Sequence, residues 1–431
     1  MSERFVLVAV ADLGGRRAAR TGRLRRVGRD GIDALPAALG VEVTVPHGDG
    51  AARLEIRSLD DFHPDALARR LRGSIPSGAP NAAAPAVAPR AADAGGTPDL
   101  PPPAGGAALL ESILRTSEGA PPVDPGLGDF VRRVSEPFVV RPSGDPDAAS
   151  QSALAAAVRG ALDDGRLRAL EAAWRGLHGL VMATDEGAGA EIWVLDAAPA
   201  DAPAALADEL STPGAPPVAA IVAAFRYGPD DPSLAALAGL ATVAEAAAVP
   251  VIADVDPRVL GLPDARALGG SDAASRIGMI DHWRRFRRHS LAGHVLLCLP
   301  RVLERLPYGP RGEPVSAVPL DEDLHAADHE RFLWGSAALA FASVLTTAYA
   351  ADGSTEHLER HAEVAGLPVY VSKEQDGASH PMPCAEVVMS TTTIKALVDQ
   401  GCTVLASIRD TDRASFWGVG MLDGTPLPPL G

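Results

Sequence analysis

The sequence predicts an α/β protein built on a mostly parallel sheet flanked by helices, with a small N-terminal α/β segment joined to it by a flexible linker. Three observations carry that expectation. Between 191 and 254 the hydrophobic period switches repeatedly: apolar runs at 191–196, 218–225 and 249–254 are separated by helical patterns at 204–210 and 233–248. Near-continuous apolar strands alternating with helices belong to parallel sheets covered on both faces. The composition, 47% hydrophobic with only 4% aromatic residues and abundant alanine, is that of a globular, helix-rich chain. The stretch 74–106 keeps only Ile75, Val87 and Leu100 as large apolar residues in a run of Ala, Pro, Gly and Ser. With so little to bury it cannot offset the entropy of ordering, and it divides the chain into segments 1–73 and 107–431. As a coil of about 33 residues it reaches roughly 30 Å.

The elements follow in order. The run 5–11 reads as a buried strand, 16–29 as an arginine-rich polar loop, 30–39 as a helix and 53–57, which alternates polar and apolar, as a half-exposed strand. A turn begins at Ser58, and Pro64 takes the first position of a short helix ending near Leu71. A piece of about 70 residues with two or three strands is marginal as an independent core, so it is expected to complete that core on another surface. Beyond the linker, 109–115 is a short amphipathic helix. Longer helices are expected at 148–163 and at 167–184, the second with Leu170, Trp174, Leu177 and Val181 on one face. After the β-α-β-α-β stretch come a strand at 294–299, a long helix at 330–351, and short strands at 367–371 and 386–389. A helix at 391–400, capped by Thr391 or Thr392, and strands at 403–409 and 416–422 close the chain.

The formal charge of −16 argues against nucleic-acid binding, which needs a concentrated basic surface. The local exception, Arg284-Arg-Phe-Arg-Arg288 with His282 and His289, is read as a salt-bridged face. Lysine occurs only at 373 and 395, so no Walker A loop is possible, and neither GxGxxG nor GxSxG occurs. Gly187-Ala-Gly189 precedes a strand instead of following one and reads as a turn. Cys298, Cys384 and Cys402 are widely spaced and odd in number, which implies no disulfide framework and a cytoplasmic location. The N-terminal apolar run is too short for a signal peptide. The uncharged stretch 334–351 sits at the lower length limit for a bilayer and carries Ser and Thr, so a buried helix and no membrane insertion are expected.

His325 with His329 and His357 with His361 would each share a helix face, but no third ligand is set by spacing, so solvated histidines are the expectation. Asp321-Glu-Asp323 reads as a solvated loop and Asp60-Asp61 as a helix N-terminus, where negative charge is favoured. No nucleophile, base and orienting group assemble, and no catalytic, cofactor or metal residue is assigned: the chain is expected not to be an enzyme. The competing reading is a soluble α/β enzyme or ligand-binding protein using the carboxyl ends of its strands near Asp196, Tyr227 and Asp254.

Four stretches resemble one family, in its order. Leu170-Glu-Ala-Ala-Trp-Arg-Gly-Leu-His-Gly-Leu-Val181, Leu299-Pro-Arg-Val-Leu-Glu-Arg-Leu-Pro-Tyr-Gly309, Trp334-Gly-Ser-Ala-Ala-Leu-Ala-Phe-Ala342 and the 383–389 stretch are similar to the large contractile-sheath subunit of bacterial type VI secretion systems, across roughly 110–431. Ser58-Leu-Asp-Asp-Phe-His-Pro-Asp-Ala-Leu67 is similar to the small sheath subunit, normally a separate chain. The resemblance implies a fusion of the two: a structural protomer that self-associates around an inner-tube protein, contracts to drive it outward and meets baseplate proteins. Leu109-Leu-Glu-Ser-Ile-Leu114 resembles the large-subunit helix gripped by an AAA+ unfoldase. The long helical region that ends the small protein in that family is missing here, and the large-subunit part ends at Leu427-Pro-Pro-Leu-Gly431, so a compact variant is expected, with a non-polymerising baseplate-associated or regulatory paralogue as the alternative.

Overall fold

A computed structural model describes residues 4–15, 22–48, 50–72, 146–373 and 379–431. The predicted linker at 74–106 and helix at 109–115 lie outside the described residues. The first half of the fold comprises β1 (Phe5–Ala11), β2 (Arg25–Val27), α1 (Leu35–Leu39), β3 (Val41–His47), β4 (Gly50–Ile56), α2 (Pro64–Arg72), α3 (Pro146–Leu162), α4 (Gly165–Ala183), β5 (Ala190–Asp196), α5 (Ala202–Leu210), β6 (Val218–Tyr227), α6 (Asp231–Ala247) and β7 (Val251–Val255). The second comprises α7 (Ala273–Arg276), α8 (Asp281–Phe286), β8 (Val295–Leu299), β9 (Val302–Leu303), β10 (Trp334–Gly335), α9 (Ala337–Asp352), β11 (Glu363–Val364), β12 (Val371–Lys373), β13 (Ser379–Pro381), α10 (Thr391–Asp399), β14 (Cys402–Ser407) and β15 (Ala414–Trp417). The described residues up to Arg72 and from Ser150 onward form one compact unit.

The α/β class is as the sequence predicts. A nine-stranded sheet runs β11-β15-β14-β8-β7-β6-β1-β5-β2. Its interior, from β14 through β8, β7, β6 and β1 to β5, is parallel, and antiparallel strands finish both sides. The first strand of the chain therefore lies inside the sheet. Phe5 pairs with Ala190 and Ala11 with Asp196 on one side, while Leu7 faces Ala220 on the other. Because side chains alternate across a strand, Phe5, Leu7 and Ala9 enter one core and Val6, Val8 and Val10 the opposite one. All seven residues of β1 are buried, which is why the run FVLVAVA carries no polar position.

The first core is covered by α3, α4 and α9, through Leu154, Trp174, Leu177, Phe341 and Leu345, and also by the β3–β4 hairpin and α2. Phe5 stacks on Tyr349 there with ring centroids 4.5 Å apart. The second core takes Leu206 from α5, Leu237 and Leu240 from α6, Trp283 from α8 and Leu397 from α10. Side-chain caps start several helices: Asp164 accepts from Arg166 N and Leu167 N (2.9 and 3.1 Å), and Asp230 from Ser233 N (2.9 Å). Among the described residues no helix is long and apolar enough to cross a membrane.

Several expectations are corrected. The helix expected at 330–351 begins only at Ala337, because Trp334 and Gly335 pair with Leu303 and Val302 and Ser336 Oγ accepts from Leu339 N. The helix at 30–39 shrinks to α1, since residues 28–32 close a turn on the Gly28 carbonyl. Residues 386–389 form no strand: Glu386 is drawn to Arg301, and only Ala385 bridges to Val302. The strand at 367–371 is displaced to β12, paired with β13. Ser390, not Thr391 or Thr392, caps α10 by accepting from Thr393 N at 3.1 Å. The closing strand is Ala414–Trp417, and β11 lies outside it. The sequence reading also lacks the short strands β9, β10, β11 and β13, β2 inside the supposed loop, and β3, whose alternation of Val41, Val43 and Val45 with polar residues was legible.

Candidate functional site

In doubly wound sheets ligands gather at the carboxyl ends of the parallel strands. Here β6, β7 and β8 deliver Arg226, Asp254 and Arg301 to a cavity of about 340 Å³, whose wall also includes Arg168, Glu330 and Trp334. Asp254 is buried, and its Oδ1 accepts from Ala338 N at 2.8 Å, at the start of α9. Burial pushes its carboxyl up to about 7, against the opposing bonds from Ser336 and Ala338. Asp256 behaves oppositely. Burial is outweighed by Arg258, which donates from N, Nε and Nη2 at 2.9, 3.0 and 3.0 Å, and the carboxyl falls below its ordinary range.

The three residues of the ligand-binding reading do not meet in this cavity. Asp196 accepts from Leu13 N and Gly14 N (2.8 and 3.0 Å) and holds the turn that follows β1. Tyr227 is buried in the second core, its hydroxyl without a partner among the described residues, and burial pushes the phenol up. Of the three, only Asp254 lines the cavity, where the neighbouring Ser336 hydroxyl bonds to it while its Oγ accepts from Leu339 N.

An acid that keeps its proton longer folded than unfolded loses stability as pH rises between the two pKa values. Ionisation of Asp254 therefore removes stability from about pH 4 to about pH 7. Asp254→Asn, which keeps an acceptor for Ala338 N, is expected to flatten that part of the stability–pH curve. Urea unfolding at intervals between these pH values measures it; an unchanged slope would locate the burden elsewhere.

His329, Glu330 and Glu386 bring three ligand-type side chains within 4.8 Å of one another. The Arg301 guanidinium already stands among them. Its Nε donates to Glu386 Oε1 at 2.9 Å and its Nη2 lies 3.1 Å from Glu330 Oε2, where a cation would otherwise sit. His329 is buried, tilted against Trp334 with centroids 5.3 Å apart, while His325 lies exposed beside Asp323. Residues 326–331 form a 3₁₀ turn, so these two histidines do not share a helix face as the spacing implied. His361 pairs with Asp352 at 3.0 Å, and His357 approaches Glu359 at 3.7 Å.

The four motif stretches converge below this cavity. Glu171 of α4 accepts from Arg175 Nε (2.8 Å) and Arg305 Nε (3.0 Å), and Arg305 Nη1 reaches Glu322 at 2.8 Å. The Arg305 guanidinium lies 3.9 Å over the Tyr308 ring. Close approach leaves no room at Gly335, where a Cβ would stand 1.9 Å from Glu304 Oε1, and little at Gly176, where one would stand 2.9 Å from the Leu339 side chain. Trp174 Nε1 donates to the Leu13 carbonyl at 3.2 Å, tying α4 to the N-terminal segment. From that segment Asp65 reaches across to accept from Ser316 N, Ser316 Oγ and Ala317 N at 3.0, 2.6 and 2.7 Å. Sequence reasoning missed these pairs because nothing local marks their partners.

The site and its surroundings define a doubly wound α/β protein in which Arg301 is paired with Glu386, and Arg305 with Glu171 and Glu322. The family model VipB, described as EvpB/VC_A0108, tail sheath N-terminal domain, matches residues 204–422, just over half of the chain, and the chain belongs to that family. It is similar to the type VI secretion system sheath protein TssC1 of Pseudomonas aeruginosa strain PAO1, 26% identical over 277 residues that cover 59% of this chain and 56% of TssC1. The chain thus matches little more than half the length of that relative.

Proposed function

We propose that this chain is a protomer of a type VI secretion contractile sheath in which a small-subunit-like segment (1–73), a linker (74–106) and a large-subunit-like domain (107–431) are one polypeptide. The observation that carries this reading is the place of β1. A strand from the small-subunit-like segment lies between β5 and β6, in the sheet to which the family-matched region contributes β6, β7, β8 and β14. Two separate chains would have to supply that strand in trans; fusion holds the ratio at one to one and raises the effective concentration of the pair. The protomer assembles around an inner tube, contacts the baseplate, and contracts by rigid-body rearrangement between neighbours, without making or breaking a covalent bond. That role is cytoplasmic, and the 109–114 motif is the place where an AAA+ unfoldase would take hold.

Negative-stain electron microscopy of the purified full chain, alone and with the inner-tube protein, tests the reading. Tubules are expected. Persistent monomers under both conditions would overturn it in favour of a non-polymerising paralogue.

A further inference from the structure

The cluster Arg284-Arg-Phe-Arg-Arg288 has no part in the site described above. Helix α8 turns Trp283 into the core and half-buries Phe286 against it, ring centroids 6.5 Å apart. This anchoring leaves Arg284, Arg285, Arg288 and His289 exposed, with Arg287 half-buried. The sequence implied a salt-bridged face, and the structure corrects this. The carboxylate that pairs with the cluster is Asp281, 3.2 Å from Arg284 and itself 85% exposed, in a pair of the kind that contributes little. The remaining bonds run to backbone: Arg284 Nε and Nη2 donate to the Met279 carbonyl at 3.2 and 2.8 Å, and Arg287 Nε to the Leu422 carbonyl at 2.9 Å. Carbonyl oxygens orient a guanidinium without cancelling its charge. Arg285 and Arg288 have no side-chain partner among the described residues.

An open hollow of about 510 Å³ lies among Arg284, Arg287, Arg288, Gln400 and Asp423. The Asp423 carboxylate accepts from Thr425 N and Oγ1 at 2.8 and 2.7 Å. A basic patch thus stands on a chain of net charge −16, whose remaining surface is more acidic still. Phosphate-rich partners would be repelled by that surface. Another copy of the same chain presents the complementary charge.

We propose that the arginine cluster of α8 is a contact surface for a neighbouring copy of this chain, whose net charge of −16 is of the opposite sign. A contact between unlike patches on identical molecules is heterologous, and such contacts build rings or open helical arrays. The inference rests on the self-assembly reading above and deepens it by naming one of the surfaces involved.

The test uses the full chain and the variant Arg285→Glu/Arg288→Glu, with Arg285→Gln/Arg288→Gln as the milder change; circular dichroism and thermal unfolding serve as folding controls. Sedimentation velocity at roughly 20 mM and roughly 500 mM salt reads pairwise association as the Debye length shrinks from about 20 to about 4 Å, and microscopy reads tubules. The expected result is association of the native chain at low salt, weakened at high salt, with the dissociation constant raised about tenfold or more by charge reversal and less by neutralisation. Arginine-dependent pairs without tubules would uphold the surface and sink the sheath reading. Tubules or pairs indifferent to both variants and to salt would overturn the surface and leave the sheath reading standing. A native chain that neither pairs nor polymerises would overturn both.

Discussion

Residues 107–431 expressed without 1–73 will give an insoluble or loosely packed product with no cooperative unfolding transition, and supplying 1–72 in trans will restore one. Removing β1 takes a strand from within the parallel sheet and leaves β5 and β6 with unpaired N–H and C=O groups where water does not reach. It also empties both cores at once. Phe5, Val6, Leu7, Val8 and Val10 are fully buried, and burying such side chains contributes about 1.5–3 kcal/mol each. Their sum rivals the ~5–15 kcal/mol that separates a typical folded domain from its unfolded chain. The reciprocal fragment 1–72 should be poorly folded alone, because β1 finds both pairing partners, Ala190–Asp196 and Val218–Tyr227, outside it. Calorimetry of each fragment and of the co-expressed pair measures this; a cooperative transition in isolated 107–431 would refute it.

Arg305→Ala is expected to destabilise the protein by about 3–5 kcal/mol, because it takes the guanidinium from two buried carboxylates, leaving Glu322 without a cationic partner and Glu171 with Arg175 alone. Arg305 is the hub of that cluster. It bridges α4 to the 306–322 loop, donates to the Leu306 carbonyl at 2.9 Å, and lies over the face of Tyr308. Arg305→Lys should recover only part of the loss, since an ammonium cannot span both carboxylates in the fixed fork of a guanidinium. Chemical denaturation of the three proteins decides the matter. A loss below ~1 kcal/mol for the alanine variant would mean that solvent reaches the cluster and screens it.

Much of the architecture was legible in the residues. The run at 5–11, the β-α-β-α-β alternation and the amphipathic face of Leu170, Trp174, Leu177 and Val181 all became the elements they predicted. The errors lie where a local pattern was overruled by a distant partner. The long apolar run through Trp334 reads as continuous helix, yet the backbone at Trp334 and Gly335 is held by Val302 and Leu303. Ser390 outcompeted its threonine neighbours for the cap, a choice that neighbouring residues of similar chemistry do not distinguish. The candidate site was less legible than the fold. Asp254 was singled out correctly as a strand-end acid, but Asp196 and Tyr227, chosen on the same ground, serve a turn and a core.

Hydrophobic period, helix caps and turn residues are relations among neighbours, so the element types, the α/β class and the family likeness could be reached from the order of residues. The position of β1 inside the sheet and the long-range pairing of polar and charged groups could not. Glu171 meets Arg305 across 134 positions and Asp65 meets Ser316 across 251. Such contacts exist only once the chain has closed on itself, because whether a carboxylate is solvated, capped or locked to a guanidinium depends on what folding places beside it.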